Sequence, residues 1–133
     1  MRLIQFLNEK NHFLEKFYAL NEAQITRLQG GLFDELEKFY NQREDLLKII
    51  KYIDSQIQKS HTLQKNSAAS FSEEQKKEIR DALRAKELYV KHILAQDLAV
   101  LGMIDTAKTE IIMELQGVKK TRKALAGYKT PVA

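Results

Sequence analysis

The chain has 133 residues, with one proline, five glycines and no cysteine, and this composition predicts a single all-α domain rather than a β-rich fold. The lack of cysteine excludes a disulfide framework and any thiolate metal site. Lysine and arginine total 22 against 18 acidic residues, a net charge of +4. The excess lies in one cluster near the C-terminus, where the helix dipole favours cations, so we expect neither nucleic acid nor a membrane as partner.

The first predicted helix spans residues 3–29. Its apolar residues recur at intervals of three and four, which is typical of a helix with one face in a core. Gly30 and Gly31 follow, and a double glycine can end a helix and reverse the chain within very few residues. We therefore expect the second helix, residues 32–59, to run antiparallel to the first.

A polar segment of small residues, 60–71, predicts a mobile loop after the second helix. Ser72 and Gln75 then have the spacing of a capping box, which predicts the start of a long third helix over residues 73–126. Residues 129–133 are expected to form a flexible tail, so that residues 1–133 make one helical domain.

Polar residues interrupt the N-terminus from Asn8 onward, so we expect neither a signal peptide nor a membrane span, and the expected location is cytoplasmic.

The third helix carries a heptad repeat, which predicts packing against other helices along its length. Its two neighbouring tracks are Val90, Asp97, Ile104, Ile111, Val118 and Leu125, and Leu94, Leu101, Lys108, Leu115 and Arg122. Gly102 lies within the repeat, and the alternative is a chain that folds back there to form four shorter helices. We favour one continuous helix, because the repeat keeps its phase across Gly102 and a lone glycine costs only about 1 kcal/mol.

A partner-binding surface is predicted on the last part of the third helix. The first two helices are about half as long as the third, so they are expected to cover it only to about residue 100. Exposed apolar residues beyond that point would bind a partner helix, and basic residues beside them would favour an acidic stretch on it. The predicted apolar contacts are Leu101, Ile104, Ile111, Ile112, Leu115, Val118 and Leu125, and the predicted basic contacts are Lys119, Lys120, Arg122 and Lys123.

Residues that could support catalysis are few. Glu9 and His12 form one Glu-x-x-His pair, whereas a di-iron bundle needs two such pairs and two further glutamates. The sequence has no phosphate-binding loop and no nucleophile motif, so we expect neither an enzyme nor a bound metal or cofactor. Asp97 and Lys108 are charges on the heptad tracks. They lie either at a partly exposed edge or in positions that select the register of a partner.

Several stretches of the sequence resemble flagellar type III export chaperones of the FlgN and FliT kind. One follows the double glycine and reads Leu32-Phe-Asp-Glu-Leu-Glu-Lys-Phe-Tyr-Asn-Gln-Arg-Glu-Asp-Leu-Leu. Two others, Ile93-Leu-Ala-Gln-Asp-Leu-Ala-Val-Leu-Gly-Met-Ile-Asp and Glu114-Leu-Gln-Gly-Val-Lys-Lys-Thr-Arg-Lys-Ala-Leu-Ala-Gly-Tyr128, are similar to the long last helix of those proteins. The resemblance implies a helical bundle that binds the amphipathic helical ends of hook-associated or filament-cap subunits and delivers them to the export apparatus.

Three functional classes follow from these observations. The first is a binding module for a protein client, as the resemblance implies. The second is a self-associating structural or regulatory coiled coil, because a second copy could bury the same apolar residues in a homodimer. A nucleic-acid binder is third, since it rests on the basic cluster alone.

Overall fold

The structure, a computed structural model, describes residues 2–65 and 70–128, with side chains described as far as Val118. Three helices make up nearly all of it, α1 (Arg2–Gln29), α2 (Leu36–Lys65) and α3 (Glu73–Tyr128). They contain 28, 30 and 56 residues, and the described residues include no strand. The predicted all-α class, with two helices of similar length and one long C-terminal helix, is therefore confirmed. The predicted tail, residues 129–133, lies outside the described residues.

The turn after α1 is a Schellman motif built on the second glycine. Gly31 has a φ of 77°, a left-handed conformation that glycine adopts without steric cost. The Leu32 amide donates to the carbonyl of Arg27 at 2.9 Å, and the Gly31 amide donates to the carbonyl of Leu28 at 3.0 Å. These two hydrogen bonds satisfy carbonyl groups at the end of α1 and reverse the chain, as the double glycine predicts.

Helix α2 differs from the prediction at both ends. It begins at Leu36 rather than at residue 32, because the turn continues beyond Gly31. In this segment the guanidinium of Arg27 pairs with the carboxylates of Asp34 at 3.0 Å and Glu35 at 3.6 Å. The helix ends at Lys65 rather than at residue 59, so the predicted loop 60–71 was wrong for residues 60–65. That stretch contains neither glycine nor proline, and residues 66–69 lie outside the described residues.

Helix α3 starts at the predicted capping box. The Gln75 amide donates to the Ser72 hydroxyl at 3.1 Å, and the Ser72 amide donates to the Gln75 side-chain oxygen at 3.0 Å. From Glu73 the helix continues to Tyr128 without a break at Gly102. The continuous helix is therefore confirmed, and the chain does not fold back at Gly102.

The chain divides into two compact units, an N-terminal unit (Met1–Val100) and a C-terminal unit (Leu101–Ala133). In the N-terminal unit α1 and α2 run antiparallel, because Lys10 near the start of α1 pairs with Asp54 in the second half of α2. Helix α1 runs parallel to α3, since the Asn11 side chain donates to the carbonyl of Ala82 and the Asn21 side chain donates to Asp97. The N-terminal unit is thus an up-down-up arrangement of three helices.

Two apolar clusters form the core of the N-terminal unit, and both draw on all three helices. The cluster nearer the start of α1 contains Leu3, Leu7 and Ala82, with Ile57, Phe71 and Ile79 packed against it. The second contains Leu14, Phe17, Ile50 and Ile93, with Phe13, Tyr18, Leu46 and Tyr89 packed against it. Each helix contributes side chains at intervals of three and four, as expected for helix-on-helix packing.

The buried face of α3 in the N-terminal unit is not the predicted one. Val90 and Leu94, which were expected to pack against the other helices, are exposed, whereas Ile93, Gln96 and Val100 are buried. The buried residues lie on a track next to the predicted one. Both tracks are largely apolar, so periodicity alone does not decide which of them the bundle covers.

Candidate partner-binding site

The apolar residues predicted to bind a partner lie in one uninterrupted helical stretch of the C-terminal unit. We call the six of them whose side chains are described the C-terminal stripe: Leu101, Ile104, Ile111, Ile112, Leu115 and Val118. Five of the six are between 47% and 57% exposed, and Ile104 is half-buried. The prediction that these residues stand exposed is therefore confirmed for five of them, and for Ile104 it was wrong in degree.

The spacing of the stripe forms a seam of the kind that a second helix can pack into. The seam starts at Leu101 and ends at Val118, in steps of three, four, three, four and three residues. It passes through Ile104, Lys108, Ile111 and Leu115. Such steps bring side chains onto one face of a helix, one turn above another. The seam covers 17 helical steps, or about 25 Å at 1.5 Å per residue.

Charged residues are interspersed with the stripe. Lys108 occupies one position of the seam itself and is exposed, while Asp105, Glu110 and Glu114 are exposed on the same stretch. None of these four side chains forms an ion pair with another described residue. The hydroxyl groups of Thr106 and Thr109 donate to backbone carbonyls four residues earlier, so they do not link the stripe to another element. The stretch therefore offers a partner both apolar anchors and charges that are not paired with any other described residue.

The remaining predicted contacts lie further along α3. The backbone is helical to Tyr128, so Lys119, Lys120, Arg122, Lys123 and Leu125 belong to the same helix. Their side chains lie outside the described residues. Met113, which is 65% exposed, is an apolar residue of this stretch that the prediction omitted.

Asp97, one of the two charges on the predicted tracks, is partnered within the chain. Its carboxylate accepts hydrogen bonds from the Arg43 guanidinium of α2 at 2.8 Å and from the Asn21 side-chain amide of α1 at 3.2 Å. The side chain is 25% exposed. The two hydrogen bonds and the partial exposure explain how the N-terminal unit accommodates the charge of Asp97. A role of Asp97 in selecting the register of an external partner is therefore not needed to explain its position.

The interior around Asp97 is more polar than the sequence suggests. Asn21 is fully buried, and Gln24 and Gln96 are nearly so. The Gln96 side-chain amide donates to the carbonyl of Tyr18 at 3.2 Å and to the Glu22 carboxylate at 3.0 Å. We call Asn21, Gln24, Arg43, Gln96 and Asp97 the polar layer. Asn21 and Gln24 were missed because they continue the heptad spacing of Leu14 and Phe17 but are not apolar.

Among the described residues no group of three His, Asp or Glu side chains is placed so that it could hold a metal ion. His12 and His92 instead pack edge-on against the rings of Phe13 and Tyr18, at 5.5 and 6.2 Å between centroids. None of the described helices has the length and apolar character needed to cross a membrane. The C-terminal stripe is a candidate functional site because its exposed apolar side chains recur at helical spacing.

No model of a protein family, no curated protein and no solved structure matches the chain.

Proposed function

We propose that the protein is a cytoplasmic chaperone or adaptor that binds amphipathic helical segments of flagellar hook-associated or filament-cap subunits before type III export. The exposed C-terminal stripe is the observation that carries the proposal. The flagellar client and the export apparatus as a further partner come from the resemblance of the sequence to the FlgN and FliT kind of chaperone.

The exposed stripe supports a partner-binding role on energetic grounds. Burial of an aliphatic side chain contributes roughly 1.5 to 3 kcal/mol. Residues Ile111, Ile112, Leu115 and Val118 are at least 47% exposed and lie within eight positions of each other. Exposed apolar surface concentrated in this way is typical of binding sites. A helix that lays its own apolar face along this seam would use anchors at i, i+3, i+4 and i+7.

The basic cluster that follows the stripe supports a preference for an acidic client. Four cations, Lys119, Lys120, Arg122 and Lys123, lie within five consecutive positions. Opposite charges at the edge of an apolar interface steer the partner and fix its orientation more than they add to affinity. A client helix with acidic residues beyond its apolar face would match this arrangement.

A double substitution, Ile111→Asp with Leu115→Asp, tests the proposal. The matched control is Thr106→Asp with Met113→Asp, which adds the same charge at two exposed positions, neither of which is three or four residues from a stripe residue. Titration calorimetry with synthetic peptides of the amphipathic helical ends of a hook-associated or filament-cap subunit should show binding to the native chain and to the control. Binding to the stripe variant should be lost while its melting temperature is unchanged.

The outcome that contradicts the proposal is a stripe variant that binds the peptides as well as the native chain does. If the stripe variant is unfolded in dilute solution, the stripe is part of the core and not a binding surface. If the native chain does not bind the peptides, the proposal that its client is a flagellar subunit is wrong.

The second candidate function, a self-associating coiled coil, rests on the same exposed stripe. A second copy of the chain could bury the seam without any client. Light scattering over a wide range of concentrations separates the two functions. A stable dimer that the stripe variant abolishes, together with no peptide binding, would favour the coiled coil over the chaperone.

A further inference from the structure

A second set of exposed apolar residues, none of which belongs to the C-terminal stripe, lies on the N-terminal unit. Tyr40 and Leu47 of α2 and Leu83, Val90 and Leu94 of α3 contribute to it, and we call these five residues the α2–α3 face. Each of them is between 36% and 60% exposed. The core clusters of the unit contain none of the five.

The contact between Arg43 and Asp97 places these residues on one side of the unit. Val90 and Leu83 precede Asp97 by one and two heptads, so they share its track on α3, which faces α2 at this contact. Tyr40 and Leu47 lie one turn before and one turn after Arg43 on α2. The two helices run antiparallel here, since Ile50, after Arg43, packs in the same cluster as Ile93, before Asp97. The α2–α3 face is therefore an apolar strip along the outer edge of the packed pair.

The strip has a predominantly basic rim. Exposed cations beside it are Arg80, Arg84 and Lys91 on α3 and Lys48 and Lys51 on α2. Three exposed carboxylates, Glu37, Glu44 and Glu87, lie among them. Within residues 2–65 and 70–118 none of the five cations has an ion-pair partner. The rim thus carries an excess of two positive charges, because five cations stand against three carboxylates.

We infer that the α2–α3 face is a docking site for an acidic amphipathic helix of another protein. The apolar strip supplies contacts for the apolar face of such a helix, and the rim supplies cations for glutamate or aspartate on its flanks. Leu83 and Leu94 are 11 residues apart on α3, or about 17 Å along the helix axis. This distance fits a partner helix of three to four turns, which packs as a fourth helix against the antiparallel pair.

This site is independent of the proposed function. It lies entirely within Met1–Val100, whereas the C-terminal stripe begins at Leu101. The α2–α3 face could bind its partner even if the C-terminal stripe bound no client, and substitutions on each surface distinguish the two sites.

The probe is a synthetic helical peptide of about four turns with leucine at i, i+3, i+4 and i+7 and glutamate on its flanks, labelled for fluorescence anisotropy. A peptide with lysine in place of every glutamate is its charge-reversed partner. The protein variants are Leu94→Glu and Leu47→Ser on the α2–α3 face. The control is Tyr52→Glu, because Tyr52 is 64% exposed on α2 and lies half a turn away from Arg43 around the helix.

We expect the acidic peptide to bind the native chain and the control alike, with an affinity reduced roughly tenfold or more in Leu94→Glu. Leu47→Ser should weaken binding less, and 0.5 M salt should weaken binding to the native chain. The lysine peptide should not bind. Circular dichroism should show that all three variants stay folded, since each changes an exposed side chain, and Leu47→Ser serves alone if Leu94→Glu does not fold.

Three results would overturn the inference. The first is equal binding by the native chain and both face variants. The second is loss of binding only on Ile111→Asp with Leu115→Asp, which would place the peptide on the C-terminal stripe. The third is a dimer in light scattering that Leu94→Glu converts to a monomer, which would show that a second copy of the chain covers this face.

Discussion

Asp97 links three helices through two hydrogen bonds, and this single carboxylate shows how a charge is accommodated between helices. The guanidinium of Arg43 neutralises it, and the same guanidinium lies over the ring of Phe17, with 5.3 Å to the ring centroid. The Asn21 amide adds a donor from α1. Because both charged side chains keep some contact with solvent, at 29% and 25% exposure, the pair avoids the full desolvation cost of a buried ion pair.

Replacement of Asp97 by alanine should destabilise the N-terminal unit. The change leaves the half-buried Arg43 without its counter-charge and the buried Asn21 amide without its acceptor. We expect a loss of roughly 2 kcal/mol, less than for a fully buried pair because solvent screens both groups. Urea denaturation followed by circular dichroism measures it.

The control for that substitution is Lys76→Ala, which removes the exposed ion pair between Lys76 and Glu73. Its effect should stay within about 0.5 kcal/mol. Equal effects of the two substitutions would mean that the interior pair contributes no more than a surface pair.

At the scale of the elements, the sequence predicts the interior of each helix well and its ends unevenly. The capping box at Ser72 was predictable because its two hydrogen bonds depend only on residues three apart. The start of α2 was not predictable in this way. It depends on the ion pairs of Arg27 with Asp34 and Glu35, which join residues that only the folded turn brings together. The end of α2 was misjudged because Ser60 and Thr62 suggest a loop, although the Thr62 hydroxyl is satisfied inside the helix by the carbonyl of Gln58.

The Schellman turn gives a prediction that distinguishes its two glycines. A side chain at Gly31 would force an L-residue into a left-handed conformation, so Gly31→Ala should destabilise the protein by about 1 kcal/mol. Gly30→Ala is the matched control, because Gly30 has no positive φ and an added Cβ would meet the Arg27 carbonyl oxygen at an acceptable 3.4 Å. Thermal denaturation of both variants measures the difference. A larger loss at Gly30 than at Gly31 would contradict the assigned turn.

At the scale of the molecule, the three-helix class follows from composition and periodicity, whereas the choice of buried face does not. Helix α3 is apolar on two adjacent tracks, and the bundle covers the one with Ile93 and Val100. That choice depends on the partners that α1 and α2 present, which pattern alone does not reveal. Beyond Val100 the two predicted heptad tracks carry the exposed side chains of Leu101, Ile111, Leu115 and Val118. The predicted exposure of these residues therefore does not depend on which face the bundle covers, and the binding of a partner to them stays a prediction.

Replacement of the polar layer by apolar residues gives a prediction for the whole N-terminal unit. The buried side-chain oxygens of Asn21 and Gln96 and the Gln24 side-chain nitrogen have no hydrogen-bond partner, so the layer is imperfectly satisfied. The triple variant Asn21→Leu, Arg43→Leu, Asp97→Leu removes the ion pair and the unsatisfied Asn21 oxygen, and it leaves Gln24 and Gln96 in place. Because the pair is partly exposed, we expect a gain in stability of about 1 kcal/mol, at the low end of the range for buried pairs. Urea denaturation measures the gain, and a less stable triple variant would show that the layer stabilises the unit outright.

The same variant also tests whether the polar layer selects one alignment of the helices. The three helices have similar heptad spacing, so an apolar core tolerates a shift of one helix by seven residues better than a core with one Arg43 and one Asp97 does. We expect additional sets of backbone amide resonances in the NMR spectrum of the triple variant. A single set, as sharp as that of the native chain, would show that apolar packing alone specifies the alignment.

The division of α3 between two compact units has a consequence for its dynamics. The backbone hydrogen bonds of α3 continue through both units. In the N-terminal unit, side chains of α1 and α2 also pack against the helix. In the C-terminal unit most described apolar side chains face solvent, so opening of a few turns there removes little packing. Amide protons of residues 101–118 should therefore exchange with solvent far faster than those near Ile93. A client that covers the C-terminal stripe would slow that exchange, and part of its binding free energy would be consumed in ordering the helix it contacts.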